Sequence, residues 1–295
     1  MMTSLSIFFE AYKYLIQCVR DSLKSINQDK LKSIFEILIE GREKNSSIIV
    51  DGQGRSLQSM LILEDCLEHN GFPIIFPASN ANLRPWKPGD IFFFNSGSGS
   101  GSPLKHAIAA HEDKLHVLGM TYNTNIGSNF SSPVEGILKM APSGNRNKLY
   151  APLGTEFELT SAVIGASLGY GVNSTPEESI SEFNKCSSEI LKLFDDSVSY
   201  YEKHKEGLLE FIDLIKIYID PDCKNNIYFR GVGRDSIINQ VSAIRYGHLH
   251  KTINEQVVKD LHVIYEGHWD LRKPNDLVIL TSGSGSTSQT LDYAV

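Results

Sequence analysis

KPGDIFFFNSGSGSGSP, residues Lys87 to Pro103, runs from a turn through an apolar triplet into alternating glycine and serine. A short apolar run with turn residues at both ends reads as a strand buried on both faces. The helical pattern that resumes at Leu104 makes the Gly/Ser tract a strand-to-helix connection and not a linker between domains. Such a turn gathers hydroxyls and unpaired N–H groups at the positive end of a helix dipole, which is the makeup of an anion cradle. In an open α/β sheet it also lies outside the carboxyl ends of the strands, where ligands bind. Ser96, Ser98, Ser100 and Ser102, with Gly99 giving the turn its freedom, are the candidate donors.

Outward from this segment the same rhythm continues. Two helical patterns, Ser4–Ser25 and Asp29–Arg42, precede SSIIVDGQGRS (Ser46–Ser56), FPIIFPAS (Phe72–Ser79), LHVLGMTYN (Leu115–Asn123) and EGILKM (Glu135–Met140). Helical stretches at Ser56–Asn70 and Leu104–Asp113 lie between the apolar runs. Strand and helix alternating at this spacing predict a doubly wound, three-layer α/β/α sheet of five parallel strands, flavodoxin-like, with strand order 2-1-3-4-5.

The signals then recur in order. NNIYFRGVGRDS (Asn225–Ser236) echoes SSIIVDGQGRS, LHVIYEG (Leu261–Gly267) echoes FPIIFPA, and KPNDLVILTSGSGSTSQT (Lys273–Thr290) echoes the opening segment. A helical section, Glu177–Ile219, stands where the two opening helices stand in the first half. Three ordered matches point to an internal duplication. The expected division is a complete domain over 1–174 and a second, truncated copy over 175–295, with three strands ordered 2-1-3 and an edge strand at Val278–Thr281 that needs cover. The second copy offers Ser236, Ser282, Ser284, Ser286 and Thr287 as ligand donors and has no counterpart of the acidic residue discussed below.

Composition narrows the function classes. The 295-residue chain is 41% hydrophobic and 21% charged, the balance of a globular protein, and its formal net charge is −7. An acidic chain has no overall attraction for nucleic acid or an anionic membrane, so neither is an expected partner and an anionic ligand must be held by local donors. The amphipathic N-terminus and the lack of a long apolar run predict a cytoplasmic protein. Cys18, Cys66, Cys186 and Cys223 form no CxxC pair and read as reduced structural thiols. Gly52-Gln53-Gly54 opens like a dinucleotide fingerprint, but Leu57 holds the third glycine place and Ser79 and Asn80 supply no acid for a ribose. With no GK[ST] element either, no nucleotide cofactor is expected. His248 and His250 lack a third ligand, so no metal is expected.

GQGRS, the strand-borne SGSGS and APLGTEFE (Ala151–Glu158) together resemble the SIS (sugar isomerase) phosphosugar-binding family. The last motif is similar to that of the 6-phospho-3-hexuloisomerases. The resemblance covers Ile34–Val172 well and the remainder in outline. It implies a sugar phosphate ligand and a homo-oligomer, a dimer, since SIS modules usually complete their site against a partner subunit. It maps the family's acid onto Glu158. The chain departs from the family where Ser100 and Gly101 replace the Glu-Thr that usually follows SGSG, and where no histidine follows the APLGT helix.

The reaction implied is aldose–ketose or ketose–ketose isomerisation of a hexose or hexulose 6-phosphate through an enediol, with a carboxylate shuttling the proton. The bland reading of Glu158 is a capping-box partner of Thr155; Thr155 is also a candidate ligand contact. Glu156, two residues earlier, is expected to face solvent. Gly54 opens the first turn, and Ser56 is a candidate donor. Arg55 either grips the phosphate or a hydroxyl, or pairs with Asp90 or Glu64 at the surface. His106 reads as surface or structural. The alternative is a non-catalytic regulator that senses a sugar phosphate; such regulators usually carry a basic helix-turn-helix, and the opening helices here are not notably basic.

Overall fold

A computed structural model of the protein describes residues 3–72, 75–78, 86–134, 136–141, 147–151, 154–220, 222–247, 252–253, 256–257, 263–264 and 273–286. The chain divides into two compact units, Met1–Glu202 and Lys203–Val295.

In the first unit, helices α1 (Ser4–Ser25) and α2 (Gln28–Glu43) lead into β1 (Ile48–Gly52), α3 (Arg55–His69), β2 (Ile75–Pro77), β3 (Ile91–Asn95), α4 (Gly101–Glu112), β4 (His116–Thr121), β5 (Gly136–Lys139), α5 (Thr155–Gly171) and α6 (Pro176–Lys203). The strands form one parallel sheet in the order β2-β1-β3-β4-β5, as the sequence pattern predicts. Successive side chains of a strand face opposite ways, and two cores result. Ile48, Val50, Ile91, Phe93, Leu118 and Met120 pack with α2, α3 and α5 on one face. Ile49, Phe92, Phe94 and Val117 pack with α4 through Ala107 and Ala110 on the other. This is the three-layer α/β/α architecture.

Asp90 fixes the start of β3. Its carboxylate accepts from the Ser47 N–H (2.9 Å) and the Lys87 N–H (2.9 Å), tying the turn before β3 to the start of β1. It is therefore not the partner of Arg55.

Three boundaries differ from the sequence reading. Helix α4 begins at Gly101, with Ser100 as its N-cap, so Ser102 lies in the helix and not in the loop. The section Glu177–Ile219 is two helices, broken at His204. The first of them, α6, belongs to the first unit: Phe183 packs edge-on to Phe35 of α2, Arg20 pairs with Asp195, and the Ser187 and Ser167 hydroxyls meet at 3.1 Å. The expected boundary at 174/175 thus falls inside that unit. Helix α6 starts on a reciprocal cap, the Glu178 N–H donating to Thr175 Oγ1 (3.3 Å) and the Thr175 N–H to Glu178 Oε2 (3.2 Å), with Pro176 at the first helical position.

The second unit contains α7 (Lys205–Ile219), β6 (Ile227–Arg230), α8 (Arg234–Gly247), a short antiparallel pair β7 (Thr252–Ile253) and β8 (Gln256–Val257), β9 (Val263–Ile264) and β10 (Leu277–Leu280). Its parallel sheet runs β10-β6-β9, around a core of Ile227, Phe229 and Ala243. His248, His250 and Thr287 lie outside the described residues. Cys18, Cys66, Cys186 and Cys223 are free thiols. Among the described residues no helix is long and apolar enough to cross a membrane.

Candidate functional site

The site forms at the carboxyl ends of β1 and β3. After β1 the chain turns at once into α3, so closely that a Cβ on Gly52 would lie 2.6 Å from the Leu57 amide nitrogen. Gly54 takes φ +57° and ψ −126°, a conformation that side chains resist, and Arg55 becomes the first residue of α3. That tight turn directs Arg55 inward: it is only 6% exposed.

Helix α5 brings the partner. It crosses α3 at close range because Gly165 and Gly169 face it; a Cβ on Gly169 would lie 2.5 Å from Cys66 Cβ. Its first turn then sets Glu158 Oε2 3.0 Å from Arg55 Nη1, with the side chains 14% and 6% exposed. Ser59 Oγ ties the same turn by donating to the Glu158 carbonyl (3.0 Å). Thr155 Oγ1 accepts from Arg55 Nη1 at 3.4 Å. The N-cap of α5 is Gly154, so Thr155 is the first residue of the helix and not its cap. Arg55 pairs with Glu158, and neither with Asp90 nor with Glu64.

The Gly/Ser loop continues from Asn95, a fully buried residue whose side-chain amide donates to the Ser56 carbonyl and to Ser161 Oγ, both at 3.0 Å. Ser96 Oγ donates to the Ser100 carbonyl (3.2 Å) and accepts from the Ser100 N–H (3.3 Å), closing the loop on itself. Ser98 and Ser100 share a hydroxyl bond of 2.6 Å. Gly99, at φ +58°, passes under Asn123, where a Cβ would come 2.8 Å from Asn123 Cβ. Among the described residues the Gly97 and Ser98 N–H groups have no acceptor.

A cleft of about 620 Å³ opens between the loop and α5. Of the candidate residues, Ser56, Ser98 and Glu158 line it, with Gly97 and Gly154. Ser96 and Ser100 shape the loop, and Arg55 and Thr155 stand behind Glu158. Ser102 is an exposed residue of α4. Ser236, Ser282, Ser284 and Ser286 belong to the second unit.

Four lining residues escape the sequence reading: Tyr122, Lys148, Glu156 and Phe157. Glu156 is 1% exposed, not solvent-directed as expected. Tyr122 and Phe157 meet edge to face at 5.0 Å and form an apolar wall against which Gly97 packs. Burial, followed by the charge of Glu156, pushes the Tyr122 hydroxyl up to about 12, so it stays neutral at any physiological pH. Lys148 brings a cation to an otherwise acidic rim. His106 Nδ1 donates to Asp51 Oδ2 at 2.8 Å, and His106 is not among the lining residues.

No protein-family model and no curated protein matches this chain. Solved structures do. The chain is similar to tagatose-6-phosphate ketose/aldose isomerase from Escherichia coli, with a TM-score of 0.64 and 16% identity over 96% of this chain and 75% of that one. It is similar also to the C-terminal domain of glucosamine-fructose-6-phosphate aminotransferase from Francisella tularensis, with a TM-score of 0.60 and 14% identity over 98% and 79%. The fold is that of the SIS proteins.

Proposed function

We propose that the cleft of the first unit binds a sugar phosphate and isomerises it, with Glu158 as the proton-shuttling base. The observation that carries this reading is the placement of Glu158, held by Arg55 at 3.0 Å, across a cleft from the Ser98 hydroxyl and the Gly97 and Ser98 amides. The loop amides, the α4 N-terminus and Lys148 hold the phosphate; together they offset the chain's net charge of −7 locally. Ser56 and Glu156 bond sugar hydroxyls, and the Tyr122–Phe157 wall carries the apolar face of the sugar. Glu158 takes the proton from the hydroxyl-bearing carbon beside the carbonyl and returns it to the former carbonyl carbon, while a proton passes from that hydroxyl to the carbonyl oxygen, through an enediol. Arg55 compensates the carboxylate's charge and fixes its direction. The structural likeness to a ketose/aldose isomerase supports the class, and APLGTEFE supports a hexulose 6-phosphate as substrate.

The two halves fit an ancient duplication in this reading. Asp276 accepts from the Asn226 N–H and the Lys273 N–H, both at 2.8 Å, the bonds that Asp90 makes in the first unit. A second reading, a binder without turnover, is favoured by one feature: no histidine is among the residues lining the cleft.

A coupled assay that follows conversion of hexulose 6-phosphate to fructose 6-phosphate tests both. Turnover is expected from the native chain, with Glu158→Gln lowering it by roughly 10²–10⁴-fold while fructose 6-phosphate still binds. Binding without turnover in the native chain would select the second reading.

A further inference from the structure

The second unit repeats the turn and loop of the first with two charges changed, Arg230 for Asp51 at the strand end and an acid for Ser56 in the helix that follows. Gly231, Val232 and Gly233 follow β6 as Gly52, Gln53 and Gly54 follow β1, and each helix then begins on an arginine, Arg234 or Arg55. The strand register aligns the loops: Arg230 lies opposite Leu280 as Asp51 lies opposite Phe94. Asp235 therefore stands at the place of Ser56, and Gly283 at the place of Gly97. Ser236, matched to Ser56 by type, occupies the place of Leu57.

In the first unit Ser56 and Gly97 are both cleft-lining donors. In the second, Asp235 Oδ2 accepts from the Gly283 N–H at 3.2 Å. The Gly285 and Ser286 N–H groups, on Ser282 Oγ (3.1 Å) and Ser284 Oγ (3.2 Å), are engaged within the loop as their counterparts Gly99 and Ser100 are in the first unit, so the difference between the loops lies at Gly283. We infer that Asp235 fills the anion place of the second Gly/Ser loop with a carboxylate of the chain itself, so that this loop does not take phosphate.

The physical reason is twofold. The backbone donor that a phosphate oxygen needs is already engaged, and an incoming dianion meets a like charge that has no reason to leave. A Gly/Ser loop whose sequence reads as a second cradle is thereby self-occupied, and a chain carries one phosphate-binding loop, not two.

The test uses the full chain, with backbone amide resonances followed by nuclear magnetic resonance during titration with inorganic phosphate and, separately, fructose 6-phosphate. The Gly283 and Gly285 amides of the native chain are expected to stay put under both. Asp235→Ser, which restores the hydroxyl of the first unit, and Asp235→Asn, which keeps the shape and removes the charge, are expected to give saturable shifts there. A saturable shift of Gly283 in the native chain overturns the inference, and so does the lack of any gain in both variants. The Gly97 amide reports on the first cleft in the same spectra. Its failure to move counts against the proposed function and leaves the role of Asp235 to be decided by Gly283 alone.

Discussion

Glu64 and Glu158, both close to the α3–α5 contact in sequence, show how surroundings set a carboxylate's behaviour. Glu64, half-buried on α3, has its pKa pushed up to about 7, first by burial and then by the charges of Glu68 and Asp65. A carboxyl whose folded pKa is raised above the usual 4.5 holds its proton more tightly in the native state. Its stabilising contribution is complete below pH 4.5 and is lost as pH rises through about 7. A shift of this size corresponds to ~3.4 kcal/mol at full effect, and solvent screening of a part-exposed group reduces it to about 1–2 kcal/mol. Glu64→Gln is therefore expected to stabilise the protein by that amount at pH 8 and to change nothing at pH 4, read from urea denaturation across the range. An offset that is the same at both pH values would remove the assignment. Glu158 differs because a guanidinium compensates it. Arg55→Met leaves its charge buried without that compensation and is expected to cost about 3–5 kcal/mol, whereas Arg55→Met combined with Glu158→Gln is expected to cost clearly less than the two single changes summed. Additive costs would mean that the pair contributes nothing as a pair.

At the scale of elements, the strands were the most legible part, because an apolar run between turn residues has few alternatives to a buried parallel strand. The Gly/Ser loop was legible for the same reason: its flanks fixed it to a strand end. Helix α5 was not. Its residues are apolar on nearly every side, since it packs on α3, on α1 and beneath the cleft, so no polar stripe told which way Glu156 points. Lys148 lies in a turn before APLGT, where no periodicity operates; only the basic cluster Arg146–Lys148 hinted at a cation there. The break at His204 carries neither glycine nor proline, whereas Thr175-Pro176-Glu177-Glu178 did carry a readable helix start. Glycine spacing along α5 leads to a test. Gly169→Ala sets a Cβ 2.5 Å from Cys66 Cβ, which forces α3 and α5 apart and is expected to cost about 1–3 kcal/mol. It should also weaken sugar phosphate binding, because Arg55 and Glu158 meet across that contact. Gly207→Ala on exposed α7, where nothing lies within 4 Å, serves as the contrast and is expected to stabilise by roughly 0.5–1 kcal/mol. Equal effects from the two substitutions would refute the close-packing account.

For the whole molecule, the chain's acidity and its division into two cored units together shape how a ligand should act. A net charge of −7 gives anions no general welcome, so stabilisation by a phosphate ester has to arise at local donors. Those donors, on the proposed reading, sit in the first unit alone: the loop after β3, the α4 N-terminus and Lys148. A ligand that binds only the native state adds stability by mass action, roughly 2.7 kcal/mol at a hundredfold excess over its dissociation constant. Fructose 6-phosphate or glucose 6-phosphate is therefore expected to raise the melting temperature, while fructose or glucose at the same concentration leaves it unchanged. Hydrogen exchange locates the gain. Protection should rise in β3 (Ile91–Asn95) and in the first turn of α5, and stay constant in β6 (Ile227–Arg230), whose loop carries its own carboxylate. Equal melting shifts from the free sugars would mean that the cradle does not select for phosphate. A gain in protection confined to β6 would move the site to the other unit, and with it the role given to Glu158.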